Sequence, residues 1–260
     1  MDFLTILGLI MGAGVSVFVM ARQNILQFMW NLDALILVLG GTIAATLISF
    51  PWSEVKFAPS AIKVIFFPPR REHFVKLIAR LINYSGLARK EGMARLSDEL
   101  PKMKDSFMRS AFTLSLSGME PDIVRESLER KVLAMRQRHQ KTASIFRAMG
   151  TFAPIFGLLG TLIGVVTVLQ AMGEEQAMEE LGKRMSIAVT TTFYGIFGAN
   201  FLFLPTAIKL NEYSDMEILS KELIIETVYS IQKEEFPIVL GKKLDSYVSR
   251  TLKERERKTG

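Results

Sequence analysis

Cysteine is absent from the 260 residues, which excludes disulfides, thiolate metal sites and thiol nucleophiles. Histidine is nearly absent. His73 (REHFVK) and His139 (RQRHQK) stand in charged surroundings, and two isolated histidines without a thiol or a spaced acid make no metal motif. The chain has neither a G-x-S-x-G elbow nor a G-x-x-x-x-G-K-[ST] phosphate loop. An enzyme therefore has no nucleophile or phosphate cradle to start from, and the chain reads as a non-enzyme without a cofactor. The most informative absence is local. Four runs, Phe3–Ala21, Ala34–Ser53, Ala148–Gly173 and Met185–Ile208, hold no Asp, Glu, Lys or Arg.

At 1.5 Å per helical residue these runs reach roughly 28 to 39 Å, against a hydrocarbon core of about 30 Å. Helices buried in a soluble core rarely run so far without a charge, so all four are expected to span a membrane. Asp2 stands where a secretory leader would carry a basic residue, and a second apolar run follows closely; the first run is therefore expected to be a retained span. Lys and Arg set the orientation. Residues 54–147 hold 19 of the 32 and residues 209–260 hold 10, leaving Arg22, Lys183 and Arg184 for the short connectors. Positive charge stays inside, so both termini and the insert are expected in the cytoplasm. These charges are mixed with acids and lack interleaved aromatics, which argues against nucleic acid and for contact with anionic lipid headgroups.

The fold expected is an all-α integral membrane protein with four transmembrane helices, a large helical cytoplasmic insert and a cytoplasmic C-terminal helix. Four parts follow: a two-span hairpin (1–53), a cytoplasmic helical domain (54–147), a second hairpin (148–208) and a charged tail (209–260). In the first hairpin Gly40-Gly41 and Ala44-Ala45 offer small-residue packing positions. Pro51, Pro59 and Pro68-Pro69 break the chain, with Phe57, Ile62, Val64, Ile65 and Phe66 as an interfacial segment. Phe74, Leu77, Ile78, Leu81 and Ile82 recur at helical spacing, with Gly86 and Gly92 as interruptions and Pro101 as the end. Pro121-Asp122 opens a helix without a breaker to Arg147, able to run on into the third span. The tail reads as a helix broken near Pro237, with a frayed KERERKTG end.

On a helical wheel Gly157, Gly160, Thr161 and Gly164 share a stripe of about 100°, with Pro154 at its edge. Thr191, Gly195, Gly198 and Pro205 do the same in the fourth span, flanked by Ala188 and Thr192. Two readings stand. The faces are small-residue packing seams, or they line a tunnel around a partner helix in which threonine hydroxyls hydrate or coordinate a cation. Each proline frees a backbone carbonyl and kinks its helix, either statically or as a hinge. Ion paths through membranes usually need an intramembrane acid. None lies in a span here, since Asp2 and Asp33 sit at span ends, so a conducting assembly must take its acid from another chain. The segment Ala88-Arg89-Lys90-Glu91-Gly92 with Asp98-Glu99 clusters both signs, which by itself reads as a solvated face.

Over nearly its whole length the chain resembles the MotA/PomA family of flagellar stator subunits. The residues that carry the resemblance are ARKEG at 88–92, APIFGLLGTLIGVV at 153–166, TTTFYG at 190–195 and FLFLP at 201–205. The GLLGTLIG portion is similar also to the ExbB/TolQ energisers of periplasmic transducers, which are the alternative class. The resemblance implies an ion-conducting subunit of the bacterial inner membrane, in a homo-oligomer of five around two copies of a MotB/PomB-like partner that supplies the membrane Asp. It implies hinge roles for Pro154 and Pro205, and contact of Arg89 and Lys90 with the rotor protein FliG. The family's first acid further on is replaced here by Ser97, which leaves Asp98 or Glu99 for that role. Thr161, Thr191 and Thr192 resemble the threonines of sodium-type relatives and favour Na+ over H+ as the transported ion. A transient Na+ is the only metal implied.

Overall fold

In a computed structural model the chain is described over residues 3–67, 72–171 and 177–248, and no strand occurs among them. Pro68-Pro69 and the KERERKTG end lie outside the described residues. Four helices are long and apolar enough to cross a membrane: Leu4–Arg22, Leu32–Ser49, and parts of Pro121–Gln170 and Met185–Gln232. The chain divides into two compact units. One comprises Met1–Pro69 with His139–Glu212, the other Arg70–Arg138 with Tyr213–Gly260.

The unit that holds the spans has a small core. Val38, Ala61, Phe146, Ala153, Ala199, Phe203 and Ala207 form its buried cluster. Many larger apolar side chains point outward instead, among them Ile10, Phe18, Ile48, Leu158 and Leu162. An outer surface of this kind suits acyl chains or other membrane helices rather than water. Helix contacts are made where side chains are missing. The Phe201 ring occupies the place a Cβ on Gly12 would take, and the Phe156 ring does the same at Gly41. Gly40 faces open space, so only one of the paired glycines in the second span serves packing.

Two spans widen locally into π-turns, at Ile36–Gly40 and Gly198–Phe203. The second precedes Pro205, whose ring would press on the carbonyl of Phe201 in a regular helix and whose nitrogen donates nothing. A π-turn relieves that conflict by adding room to one helical turn. In the second span the buried Thr42 hydroxyl donates to Val38 O at 2.6 Å and the Thr46 hydroxyl to Thr42 O at 2.7 Å. Both satisfy a polar group where no water reaches. Pro59 begins the helix Ala58–Phe66 rather than breaking it, because the first helical turn needs no proline N–H.

The other unit is a helical bundle with a conventional core. Phe74, Leu77, Ile78 and Leu81 of the helix Phe74–Glu91 are buried with Leu96, Met103, Phe112, Leu128, Ile224 and Leu240. Each such side chain contributes about 1.5–3 kcal/mol by leaving water. The C-terminal helix Pro237–Tyr247 packs on Phe74–Glu91, so close that a Cβ on Gly241 would stand 3.3 Å from Ile82 Cδ1. Gly86 does not interrupt its helix, because Tyr84 and Ser85 on the same turn are buried. Gly92 does end it. Its φ of 85° is one that side-chain-bearing residues avoid.

Asp105 caps the helix Ser106–Ser115 by accepting from Phe107 N at 2.8 Å and Met108 N at 3.1 Å. Its other oxygen accepts from the buried Lys221 Nζ at 2.8 Å. Burial pushes the Asp105 carboxyl up, but the Lys221 ammonium and the two amides outweigh it and hold the group below the usual carboxylate range. A depressed carboxylate stabilises the fold above its ordinary pKa and loses that contribution as pH falls through the depressed value. Lys221→Met should therefore cost about 1–3 kcal/mol at neutral pH. The gap to the natural chain should close as pH drops below the carboxylate range, as checked by thermal unfolding of the full chain in detergent. A gap that stays constant with pH would assign Lys221 a packing role alone.

Candidate functional site

The glycine face of the third span, in the helix Pro121–Ala171, meets the fourth span, in the helix Ala177–Phe197. A Cβ on Gly157 would lie 2.9 Å from Thr191 O and 3.1 Å from Thr192 Cα. One on Gly160 would lie 2.5 Å from the Thr191 side chain, and one on Gly164 2.5 Å from Ala188 Cβ. From the other side, a Cβ on Gly195 would stand 2.5 Å from Ala153 O and 3.1 Å from both Pro154 Cα and Gly157 Cα. The predicted glycine stripe is thus a backbone-to-backbone seam within one chain. Dispersion between closely apposed helices drives such packing in a membrane. Gly198 makes no close contact with the third span. It opens the π-turn, which rotates the residues after it away from a regular wheel, and a Cβ there would meet only the Phe203 ring at 3.6 Å.

The seam gathers oxygens. Thr161 Oγ1 lies 3.2 Å from Gly157 O, 3.1 Å from Ala188 O, and in hydrogen-bond contact with Thr192 Oγ1. Thr192 Oγ1 is 3.4 Å from the same two carbonyls. Two hydroxyls and two carbonyls therefore converge, and the two threonines are partly exposed. Thr191 is different. It is fully buried, and its hydroxyl donates to Ala188 O at 2.9 Å. Its side chain also fills the space above Gly160, so it acts as a packing element of the seam.

Pro154 lies at the closest approach of the two spans and is partly exposed; Pro205 is exposed one residue beyond the start of the helix Leu204–Gln232. Tyr194 carries a function that its motif did not reveal. Its hydroxyl donates to Met29 O and accepts from Asn31 N at 3.4 Å, tying the fourth span to the connector after the first. The signal available was an aromatic ring with a polar tip within a span, which needs a partner when buried.

In the other unit, Arg89 and Lys90 end the helix Phe74–Glu91, and both are exposed. Arg89 is held from two sides. Its Nη1 donates to Glu234 O at 2.7 Å and its guanidinium lies 3.7 Å over the Phe236 ring. Asp98 accepts from Arg95 at 2.7 Å, Glu99 accepts from Lys102 at 2.7 Å, and Glu91 accepts from Arg95 at 3.1 Å. The hydrogen bond and charge of Asp98, with Glu91 beside it, raise the Arg95 guanidinium further above its usual range. The two signs expected on one surface are present, largely matched within the chain.

Four candidate spans, the third and fourth meeting along a seam of threonines and glycines, together with a second helical unit that carries mixed surface charge, are the features of a membrane channel subunit. The MotA/TolQ/ExbB proton channel family matches residues 99–222. The uncharacterized protein YtxD of Bacillus subtilis is 35% identical over 94% of this chain and 86% of its own length. Motility protein A of the same organism is 31% identical over 95% of this chain and 91% of its own. Among solved structures, the flagellar MotAB stator complex from Bacillus subtilis superposes with a TM-score of 0.86 at 29% identity, covering 96% of this chain and 98% of that one. The chain belongs to this channel family, in its MotA/PomA branch of flagellar motor stator proteins.

Proposed function

We infer that the chain is the ion-conducting stator subunit of a bacterial flagellar motor, an inner membrane protein that couples ion flow to torque on the rotor. The observation that carries this reading is likeness over the whole length, spans and charged unit together, to a MotAB stator. The finer reading follows from the residues. Several copies assemble, five around two, about a MotB-like partner that brings the membrane carboxylate this chain lacks. The insert and both termini face the cytoplasm, a reading supported by the Lys and Arg distribution. Lys90 and Arg89, with Asp98 and Glu99, present mixed charge to FliG. Contacts of this kind are screened by salt and suit repeated, weak engagement.

The transported ion is Na+. Four converging oxygens from Thr161, Thr192, Gly157 and Ala188 can replace part of a sodium hydration shell, as filter carbonyls do for other cations. A proton gains less from an array without a titratable group. One ion crossing about 100 mV supplies about 2.3 kcal/mol, enough to bias a helix rearrangement at the seam. The test is rotation of tethered cells lacking their own stators and expressing this chain with its partner, with Na+ exchanged for K+ at fixed pH and membrane potential. Speed should track Na+, and Thr161→Ala with Thr192→Ala should weaken that dependence. Rotation indifferent to Na+ would assign the motor to protons.

A further inference from the structure

The span-bearing unit contains a cavity of about 450 Å³ away from the threonine seam. It lies between the start of the first span, the short helix Ala58–Phe66 and the π-turn region of the fourth span. Leu4, Gly8, Ile62, Ile65, Phe146 and Pro205 supply apolar wall, and Lys209 is its one charged lining residue. The volume falls within the roughly 300–1,000 Å³ of ligand sites, and so does the character of an apolar wall with few polar groups. Leu4 and Ile62 are exposed at its mouth. Gly8 lines it, and a Cβ there would meet nothing within 4 Å, so a larger side chain has room to enter.

We propose that this cavity binds one anionic phospholipid, with an acyl chain along the apolar wall and the headgroup phosphate at Lys209. Three observations select this occupant. The cavity belongs to the unit that holds the membrane spans, so acyl chains are the solvent that reaches its mouth. Lys209 immediately follows the last charge-free run, which ends at Ile208, and so sits at headgroup depth, where long basic side chains settle. Its Nζ donates to Thr5 Oγ1, which fixes the ammonium at one end of the cavity. The exposed Lys63 lies on the same short helix as Ile62 and Ile65 and adds positive charge to that side. Because Pro205 and Phe203 also line the cavity, the bound chain lies against the π-turn. The proposal requires only that the chain sit in a bilayer, not that it drive rotation.

The test uses the full-length chain in phosphatidylcholine nanodiscs doped with phosphatidylglycerol that carries a photoactivatable acyl chain, with labelled peptides mapped by mass spectrometry. Label is expected on peptides containing Ile62, Ile65 or Phe146. Gly8→Phe fills the cavity and should cut that label by at least about tenfold, whereas Gly8→Ala leaves it within about twofold. Lys209→Gln should keep the fold and remove the preference for phosphatidylglycerol over an equally photoactive phosphatidylcholine. Label that persists in Gly8→Phe, or that is spread evenly over the outer faces of the spans, overturns the proposal. So does cross-linking between two copies through Ile62, which would give the cavity to a neighbouring subunit. Should Gly8→Phe fail to assemble, the two-probe comparison on Lys209→Gln decides alone: an unchanged preference sinks the site.

Discussion

Gly195→Ala is expected to abolish swimming in soft agar and to reduce recovery of the assembled complex. The added methyl would lie 2.5 Å from Ala153 O and 3.1 Å from Pro154 Cα and Gly157 Cα. All three neighbours are backbone atoms, so no side chain can rotate away and the spans must separate. Overpacking of this kind costs about 1–3 kcal/mol, and separation also breaks the oxygen cluster of Thr161, Thr192, Gly157 and Ala188 a turn away. Gly40→Ala and Gly8→Ala are the matched controls. A Cβ at either meets nothing within 4 Å, and each gains up to about 1 kcal/mol of helix propensity, so both should swim. Normal swimming by Gly195→Ala would mean that the two spans are not in backbone contact in the working assembly.

The spans were legible because charge exclusion over about twenty residues is a one-dimensional signal that soluble packing rarely imitates. The helix from Pro121 into the third span was legible for a related reason. Its proline sits in the first turn, the interior has no breaker before Pro154, and the structure has one helix, Pro121–Ala171. The glycine stripe predicted a close face but not its occupant, since a wheel gives direction without naming the opposite helix. The wheel assumes 100° per residue throughout, and the π-turn Gly198–Phe203 breaks that assumption for the residues after it, Pro205 among them. Local rules see the proline at 205, not how far back the helix adjusts to it. Tyr194 bonding to Met29 O was hidden because that pairing spans more than 160 positions, and only the packed hairpins bring them together. The inner pairing of Arg89 with Glu234 O and Phe236 was hidden in the same way.

Pro154→Ala and Pro205→Ala should each give a complex that assembles at least as well as the natural one and turns the rotor at least about tenfold more slowly under load. The sign of the stability change is the informative part. Proline within a span leaves the carbonyl four residues back without its helical donor, here Gly150 O for Pro154 and Phe201 O for Pro205. Alanine restores that bond and removes a propensity penalty of up to about 3 kcal/mol, so the static chain becomes stiffer. The energy available from one ion over about 100 mV is about 2.3 kcal/mol, the same size as the stiffening. A helix that was free to flex on each ion passage then resists the whole of the drive. Both prolines are placed for this: Pro154 at the closest approach of the third and fourth spans, and Pro205 immediately after a widened turn that has somewhere to relax. Bead rotation at known load gives torque, and detergent-solubilised complex gives assembly and thermal midpoint. Lost torque with lost assembly would make the prolines structural. Retained torque would reduce them to static kinks. Lost torque with a raised or equal midpoint identifies them as the compliant elements between ion passage and rotation.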